Sequence, residues 1–164
     1  MRTSRLTTAQ RGKGSNARPI MLALSTFRKS DEAIRVAIEK AGKEKNLIVF
    51  FVVDVNLARY LIGTDVGLLP GLRESYEEEV LEQHQKSGRE IVKSIAQQAE
   101  QYGIKVRTKV EIGRFAFKCL EAVKRENPEL IITTRSKRPE WVKKFFGSPV
   151  DYLMANAACA VIEA

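Results

Sequence analysis

The sequence predicts an α/β fold, a doubly wound, five-stranded parallel sheet with helices on both faces. The first observation is the run Leu47–Val53, which is continuously apolar and rich in β-branched residues, as in a strand covered on both faces. The second is the alternation of five strand patterns with four helix patterns along 164 residues that contain no internal repeat. Such alternation requires crossover helices, which make neighbouring strands parallel.

The first half of the chain predicts a strand, a helix and the apolar strand. Ile20–Leu24 is short and apolar, which favours a buried strand. Ser30 is placed to cap the next helix, whose first turn carries two acidic residues that suit its positive end. Apolar residues then recur at helical spacing up to Gly42, where the helix is predicted to stop. Asp54 ends the strand that follows.

A long connection and a long helix come next. The segment Val55–Arg73 contains three glycines and a proline, and a connection of this length is typical of a lid, a binding loop or a mobile segment. Glu74–Tyr102 repeats apolar residues every three or four positions and is the clearest predicted helix. The residues that recur at this spacing are Tyr76, Val80, His84, Gly88, Ile91, Ile95, Ala99 and Tyr102.

The second half completes the alternation. Ile104–Ile112 alternates apolar and polar residues, which indicates a half-buried strand at an edge of the sheet. A helix over Phe115–Glu126 and a strand at Leu130–Ile132 follow, and Cys159–Glu163 is the last strand. Ser148 precedes a proline and marks the start of the last helix. That helix is predicted to bury Val150, Leu153, Met154 and Ala157.

Positive charge is concentrated at the start of the chain. The formal net charge is +8, and the first 18 residues hold five basic residues and no acid. Because this segment is also rich in Ser, Thr and Gly, residues 1–18 are expected to be a disordered tail ahead of one domain over residues 19–164. Basic tails can bind nucleic acid or anionic surfaces, although a solvated leader is the commoner case.

The chain lacks the residues of several kinds of active site. Cys119 and Cys159 are far apart, and His84 is the single histidine, so neither a zinc cluster nor a Cys–His pair has the usual spacing. Glu77–Glu79 lies in the first turns of a helix, where acids suit the dipole, and we interpret it as a solvated face. No hydrolase, Walker-loop or zinc-protease motif occurs. We therefore expect no catalytic residue, no metal ligand and no enzyme activity.

The sequence also indicates where in the cell the protein is located. No apolar stretch reaches the length of a membrane span, and the start of the chain has no apolar segment of a secretory signal. We therefore expect no membrane span and a cytoplasmic protein.

The candidate binding site lies at the carboxyl ends of the predicted strands. In doubly wound sheets ligands bind there, at the point where the strand order reverses. The loops after the first and fourth strands, Ser25–Lys29 and Thr134–Arg138, are therefore the candidates. Gly147 and Ser148 add a helix start, whose free N–H groups suit an anion.

Several short segments occur in an order that is typical of one known family. They are Ser30-Asp31-Glu32-Ala33, the run before Asp54, the Gly113 turn, Pro128–Ile132, Gly147-Ser148 and Ala160–Ile162. With these segments, the chain from Pro19 to Ala164 resembles a universal stress protein domain. The resemblance implies a Rossmann-like sheet of strand order 3-2-1-4-5 and a homodimer formed through the last strand. An apolar strand at Ala160–Ile162, with no later strand to cover it, agrees with that dimer.

Some members of this family bind ATP through a glycine-rich loop. Its pattern is Gly, two residues, Gly, nine residues, and then Gly followed by Ser or Thr. Counted back from Gly147 and Ser148, the spacing is intact, but Thr134 and Lys137 stand at the first and second glycine positions. These side chains do not allow the positive φ or the close approach of backbone to phosphate that glycine gives.

The resemblance implies further nucleotide contacts. Ser25 stands where ATP-binding members tend to carry an acid, and Val52 and Gly113 would contribute backbone atoms. Arg135 and Lys137, with the neighbouring Arg138, put positive charge where phosphates would sit. An anion could therefore be held by side chains, aided by the helix start at Ser148.

Two functions stay open at this point. The first is a non-enzymatic, homodimeric regulatory or stress-response module that needs no cofactor and does not bind ATP in the usual way. The missing glycines and Ser25 favour it. The second is an ATP-binding switch with at most slow hydrolysis. The deciding observation is whether the crevice above Ser25 and Thr134 is open or filled by side chains such as Phe27 and Arg135. Trp141 and Phe145-Phe146 could form a partner surface or pack on the sheet.

Overall fold

The described residues form one five-stranded parallel sheet. The computed structural model describes residues 17–26, 28–55, 70–135 and 148–164, except for the side chains of 70–74 and 76. The strands are β1 (Ile20–Ser25), β2 (Leu47–Asp54), β3 (Val106–Gly113), β4 (Leu130–Thr133) and β5 (Ala160–Glu163). Every neighbouring pair is parallel and the order is β3-β2-β1-β4-β5, which confirms the predicted fold class and strand order.

Four helices connect these strands in the described part of the chain. They are α1 (Asp31–Ala41), α2 (Pro70–Glu100), α3 (Phe115–Glu126) and α4 (Pro149–Asn156). The Ser30 hydroxyl accepts a hydrogen bond from the Ala33 N–H at 3.2 Å, and the Ser148 hydroxyl accepts one from the Asp151 N–H at 3.3 Å. Both predicted helix caps are therefore confirmed, because a serine oxygen satisfies an otherwise unpaired N–H of the first turn.

Three details of the helix predictions are wrong. Helix α2 begins at Pro70, earlier than the predicted Glu74, so the end of the predicted connection is helical. The predicted helix extends to Tyr102, but α2 ends at Glu100, and Tyr102 beyond this end is 61% exposed. Met154 is 43% exposed, because the short helix α4 buries only Val150 and Leu153 against the sheet.

The core consists of two layers, one on each face of the sheet. All side chains of β1 and β2 are buried, and they alternate between the layers. Phe51 belongs to the layer under α1 and α2, whereas Phe50 belongs to the layer under α3 and α4. Helix α2 approaches the sheet closely at Gly88, where an added Cβ would lie 2.7 Å from the Phe51 ring. The absence of a side chain at Gly88 allows α2 to pack this close to Phe51 of β2 and Val110 of β3.

Several predictions fall on residues that the structure does not describe. These are the tail 1–16, Phe27, the connection 56–69 and the segment 136–147, which includes Lys137, Arg138, Trp141, Phe145, Phe146 and Gly147. Arg18, at the end of the predicted tail, donates from its guanidinium to the Asn127 side-chain oxygen at 3.0 Å and to the Pro128 carbonyl at 2.7 Å. Its side chain thereby contacts the end of α3. Within the described ranges, no helix combines the length and apolar character that a bilayer crossing requires.

Candidate functional site

The predicted site residues gather at the carboxyl ends of the central strands. Ser25 ends β1 and is fully buried, and its register partner in the neighbouring strand is Val52 of β2. Thr134 directly follows β4 on the other side of β1. Gly113 ends β3, opposite Asp54, and so lies one strand beyond β2. The strand order reverses at β1, which is where ligands bind in doubly wound sheets.

A buried arginine occupies the crevice at this reversal point. Arg28 is 1% exposed, and its backbone N–H and carbonyl exchange hydrogen bonds with Ser25 at 3.0 and 3.2 Å. This pairing turns the loop after β1 back over the strand end. The Arg28 side chain then donates to the Thr134 carbonyl at 3.2 Å, and its guanidinium carbon lies 4.6 Å from the centroid of the Phe115 ring. Arg28 therefore spans the space between β4 and the start of α3.

The surroundings of Arg28 explain why a charged side chain is tolerated there. A guanidinium is planar and weakly hydrated, so an aromatic face and a carbonyl oxygen can replace part of its water shell. The thiol of Cys119 lies in the same core layer as Phe115. Burial raises the pKa of Cys119, and the nearby Arg28 charge opposes only part of that rise. The thiol therefore stays neutral and is a poor nucleophile.

The sequence placed Arg28 within the candidate loop Ser25–Lys29 but did not single it out as a site residue. Phe27 and Arg135 were the two side chains expected to fill the crevice. Phe27 lies outside the described residues, and the Arg135 side chain is three-quarters exposed. Arg28 follows a polar loop, where a basic residue is usually solvated. One indication in the sequence that Arg28 could be buried was its position three residues after the end of a fully buried strand. The neighbouring Lys29 is almost as close to that strand end, so position alone did not single out Arg28.

Two hydroxyl groups beside the crevice have no hydrogen-bond partner among the described residues. They are the buried Oγ of Ser25 and Oγ1 of Thr26. By contrast, the Thr133 hydroxyl at the end of β4 donates to the Ala23 carbonyl at 2.9 Å. A buried hydroxyl without a partner costs free energy, which a water molecule or a ligand could recover.

The groups predicted to attract phosphate have other partners where the structure describes them. Arg135 forms an ion pair with Glu163 of β5, and that carboxylate raises the pKa of Arg135. The Ser148 hydroxyl caps α4. The turn at Gly113 is covered by the Lys118 side chain, whose nearest carbon would lie 2.6 Å from an added Cβ. Lys137 and Gly147 lie outside the described residues.

A groove opens on the other side of the β1 end, between α1 and α2. Its volume is about 830 Å³, and Thr134 lies on its border. Lys29 and Ser30 contribute polar groups from the loop, and Ser94 and Gln98 contribute them from α2. The volume is within the range of small-molecule sites.

Comparison with known proteins identifies the family. The model of the Universal stress protein family matches residues 16–162. The chain belongs to the universal stress protein family. No curated protein matches it in sequence.

Solved structures of other universal stress proteins share the fold of this family member. The protein UspA from Lactobacillus plantarum is 19% identical with a TM-score of 0.67, and the match covers 90% of this chain and 99% of that one. A universal stress protein in complex with cAMP is 12% identical with a TM-score of 0.53, covering 90% and 97%. One from Archaeoglobus fulgidus in complex with dAMP is 17% identical with a TM-score of 0.50, covering 89% and 96%. At these identities the similarity shows the fold.

Proposed function

We propose that this universal stress protein is a non-enzymatic regulatory or stress-response module that acts as a homodimer in the cytoplasm and does not hold ATP in the usual way. The observation that carries the proposal is the position of Arg28. Its guanidinium lies between the Phe115 ring and the Thr134 carbonyl, over the strand ends where the family resemblance places the nucleotide.

A nucleotide would have to displace this side chain before it could bind in the crevice. Displacement breaks the hydrogen bond to Thr134 and removes the guanidinium from the Phe115 face. A hydrogen bond from a charged group contributes about 1.5–3 kcal/mol, so its loss alone weakens nucleotide binding by roughly tenfold or more. Thr134, which replaces the first glycine of the phosphate loop, adds a Cβ where glycine would bring backbone to phosphate.

The proposed dimer forms through β5. This strand is an outer edge of the sheet in the described part of the chain, and Ile162 on it is 37% exposed. An apolar edge strand with open backbone groups is a template for pairing with a second copy. A twofold axis would pair β5 of one copy with β5 of the other.

An ATP-binding switch is the second candidate, and the hydroxyls of Ser25 and Thr26 favour it. Both hydroxyls are buried at the edge of the crevice and have no hydrogen-bond partner within the described ranges, and the groove of about 830 Å³ lies nearby. Two structures of similar fold are complexes with the nucleotides cAMP and dAMP. A nucleotide could use the groove and these hydroxyls while Arg28 keeps its place.

Thermal unfolding with Mg²⁺ and ATP, dAMP or cAMP separates the two candidates. A ligand that binds only the folded state raises the melting temperature with its concentration. We expect no shift for the wild type at about millimolar nucleotide. We expect a shift for Arg28→Met, because this substitution removes the guanidinium from the crevice and keeps an apolar side chain against Phe115. Arg135→Met is the matched control, since Arg135 is exposed. A shift in the wild type would show that the unmodified site binds nucleotide and would overturn the proposal.

A further inference from the structure

We infer that the outer edge of β3 and the neighbouring face of α2 form a binding site for an extended acidic segment of a partner protein. The segment would add to the sheet as a further strand beside β3. This surface is at the opposite edge of the sheet from β5, and it is independent of the crevice at Arg28.

The backbone of β3 offers a regular set of hydrogen-bonding groups at this edge. The Lys105 carbonyl accepts from the Leu47 N–H of β2 at 2.9 Å, so the peptide groups of Lys105 face β2. In a parallel ladder, peptide groups alternate between the two sides of a strand. The N–H and carbonyl groups of Val106, Thr108 and Val110 therefore face outward, where no described strand pairs with them. They form the template that an added strand requires.

A groove runs beside this edge and provides side-chain contacts. Its volume is about 460 Å³, and it lies between α2 and β3. Val92 and Ala96 of α2 and Val106 and Val110 of β3 give it an apolar floor. Alternate side chains of a strand point to the same face, so every second residue of an added strand would lie over this floor.

The charges around the groove select the chemistry of the partner. Arg89 and Lys93 of α2 line it together with one acidic residue, Glu100. Lys109 of β3 also borders it, but its side chain extends to the opposite face of the sheet, where Glu111 lies. Lys109 lies 3.8 Å from Glu111, a distance at which the ion pair is weak. Arg89 and Lys93 form no ion pair among the described residues. In an added strand whose apolar residues lie over the floor, the alternating carboxylates would lie on the Lys109 face of the sheet and could pair with Lys109. Arg89 and Lys93 add positive charge at the border of the groove.

The same charges disfavour a second copy of this chain as the occupant. Pairing β3 with itself would bring the basic residues of two copies, including Lys105 and Lys109, onto adjacent strands. Like charges on opposing strands are destabilising. A strand with acidic residues on one face and small apolar residues on the other matches both the charge and the floor.

Fluorescence anisotropy with synthetic peptides tests the inference on the full chain. The probe is a labelled peptide that alternates valine and glutamate. A peptide alternating valine and lysine controls for charge, and a valine–glutamate peptide N-methylated on alternate residues controls for backbone pairing. Thr108→Pro removes one outward N–H and suits an edge strand, whereas Thr108→Val keeps that N–H and is its matched control. Circular dichroism and melting temperature show whether each variant is folded.

The expected pattern has three parts. The valine–glutamate peptide binds, and both other peptides bind at least about tenfold more weakly. Thr108→Pro weakens binding by roughly five- to tenfold, as expected for one lost hydrogen bond, and Thr108→Val leaves it unchanged. The double variant Lys93→Glu with Lys109→Glu weakens it by about tenfold at low salt.

Other outcomes overturn the inference. Absence of binding by a folded wild type removes the site. Equal binding by wild type and Thr108→Pro would show adsorption by charge alone, and preference for an oligothymidylate over the peptide would indicate a nucleic-acid surface. If Thr108→Pro converts a dimer into a monomer in analytical ultracentrifugation, the edge is an interface between copies. If Thr108→Pro does not fold, the N-methylated peptide decides whether backbone pairing is required.

Discussion

The two edges of the sheet, β3 and β5, differ in length, charge and support. Strand β3 has eight residues and borders the long helix α2, and its outer edge carries basic residues. Strand β5 has four residues, three of them apolar, and lies beside the short helix α4. Both edges are open in the described part of the chain. Open backbone groups alone therefore do not determine which partner binds an edge strand, because the side chains along the edge favour some partners and disfavour others.

We therefore propose a different partner for each edge. The apolar strand β5 suits another copy of itself, since no like charges meet when its Ala160–Ile162 segment pairs with its twin. The basic edge of β3 opposes self-pairing and suits an acidic strand. Three changes test the contrast, beginning with the largest expected effect.

Ile162→Asp should dissociate the proposed dimer. The substitution places a carboxylate on each of the two paired β5 strands, and the expected rise in the dimer dissociation constant is roughly hundredfold. Ile112→Asp on β3 is the matched control, because both isoleucine side chains are 37% exposed. Analytical ultracentrifugation should find Ile162→Asp monomeric at concentrations where wild type and Ile112→Asp are dimeric. The contrast fails if Ile112→Asp dissociates the dimer instead.

Gly88→Ala should destabilise the packing of α2 against β2 and β3. The new Cβ would lie 2.7 Å from the Phe51 ring, which is buried and cannot move aside easily. Overpacking costs about 1–3 kcal/mol, and the helix propensity of alanine recovers up to about 1 kcal/mol, so we expect a net loss of about 1–2 kcal/mol.

Gly113→Ala is the control for this overpacking. The nearest atoms to its Cβ would be those of the flexible Lys118 side chain, which can move away. Urea unfolding of both variants measures the difference. Equal stability of Gly88→Ala and Gly113→Ala would show that α2 does not depend on this close approach.

Glu111→Gln should have the smallest effect of the three. The Glu111 carboxylate lies 3.1 Å from Arg125 and 3.9 Å from Lys118, so it links β3 to α3. Exposed pairs contribute little, and we expect a loss of about 0.5–1 kcal/mol that shrinks in high salt. Glu163→Gln on β5 removes a single pair with the exposed Arg135 and should lose less. Urea unfolding at low and high salt measures both losses in the free energy of unfolding. A larger loss for Glu163→Gln than for Glu111→Gln would contradict the expected difference between the two edges.

Local sequence signals were sufficient for most elements of the fold. Leu47–Val53 needed only its own residues to indicate a strand covered on both faces, and the structure buries every residue of β2. Ser30 and Ser148 act on N–H groups three residues away, so their caps could be predicted without knowing the fold. The alternation in Ile104–Ile112 indicated an edge strand, and β3 is at an edge.

The sequence was less informative where an element ends or a helix is short. Tyr102 continues the spacing of α2 but follows its last residue, and Met154 lies on a helix that buries one narrow stripe. In both cases the helical spacing of the apolar residues was present in the sequence. Whether the side chain was buried depended on how far the helix packs against the sheet. Periodicity gives the direction of a side chain but not the amount of neighbouring surface.

The alternation of elements, the helix caps and the missing glycine at Thr134 could be predicted from local sequence, because these features depend on neighbours within a few residues. The burial of Arg28 in the crevice depends on contacts that form only in the folded chain. Its carbonyl acceptor on Thr134 and its aromatic neighbour Phe115 are distant along the chain and come together only where β1, β4 and α3 meet. A basic loop residue becomes buried when folding supplies an acceptor and an apolar face at the same point, and no local pattern records that coincidence.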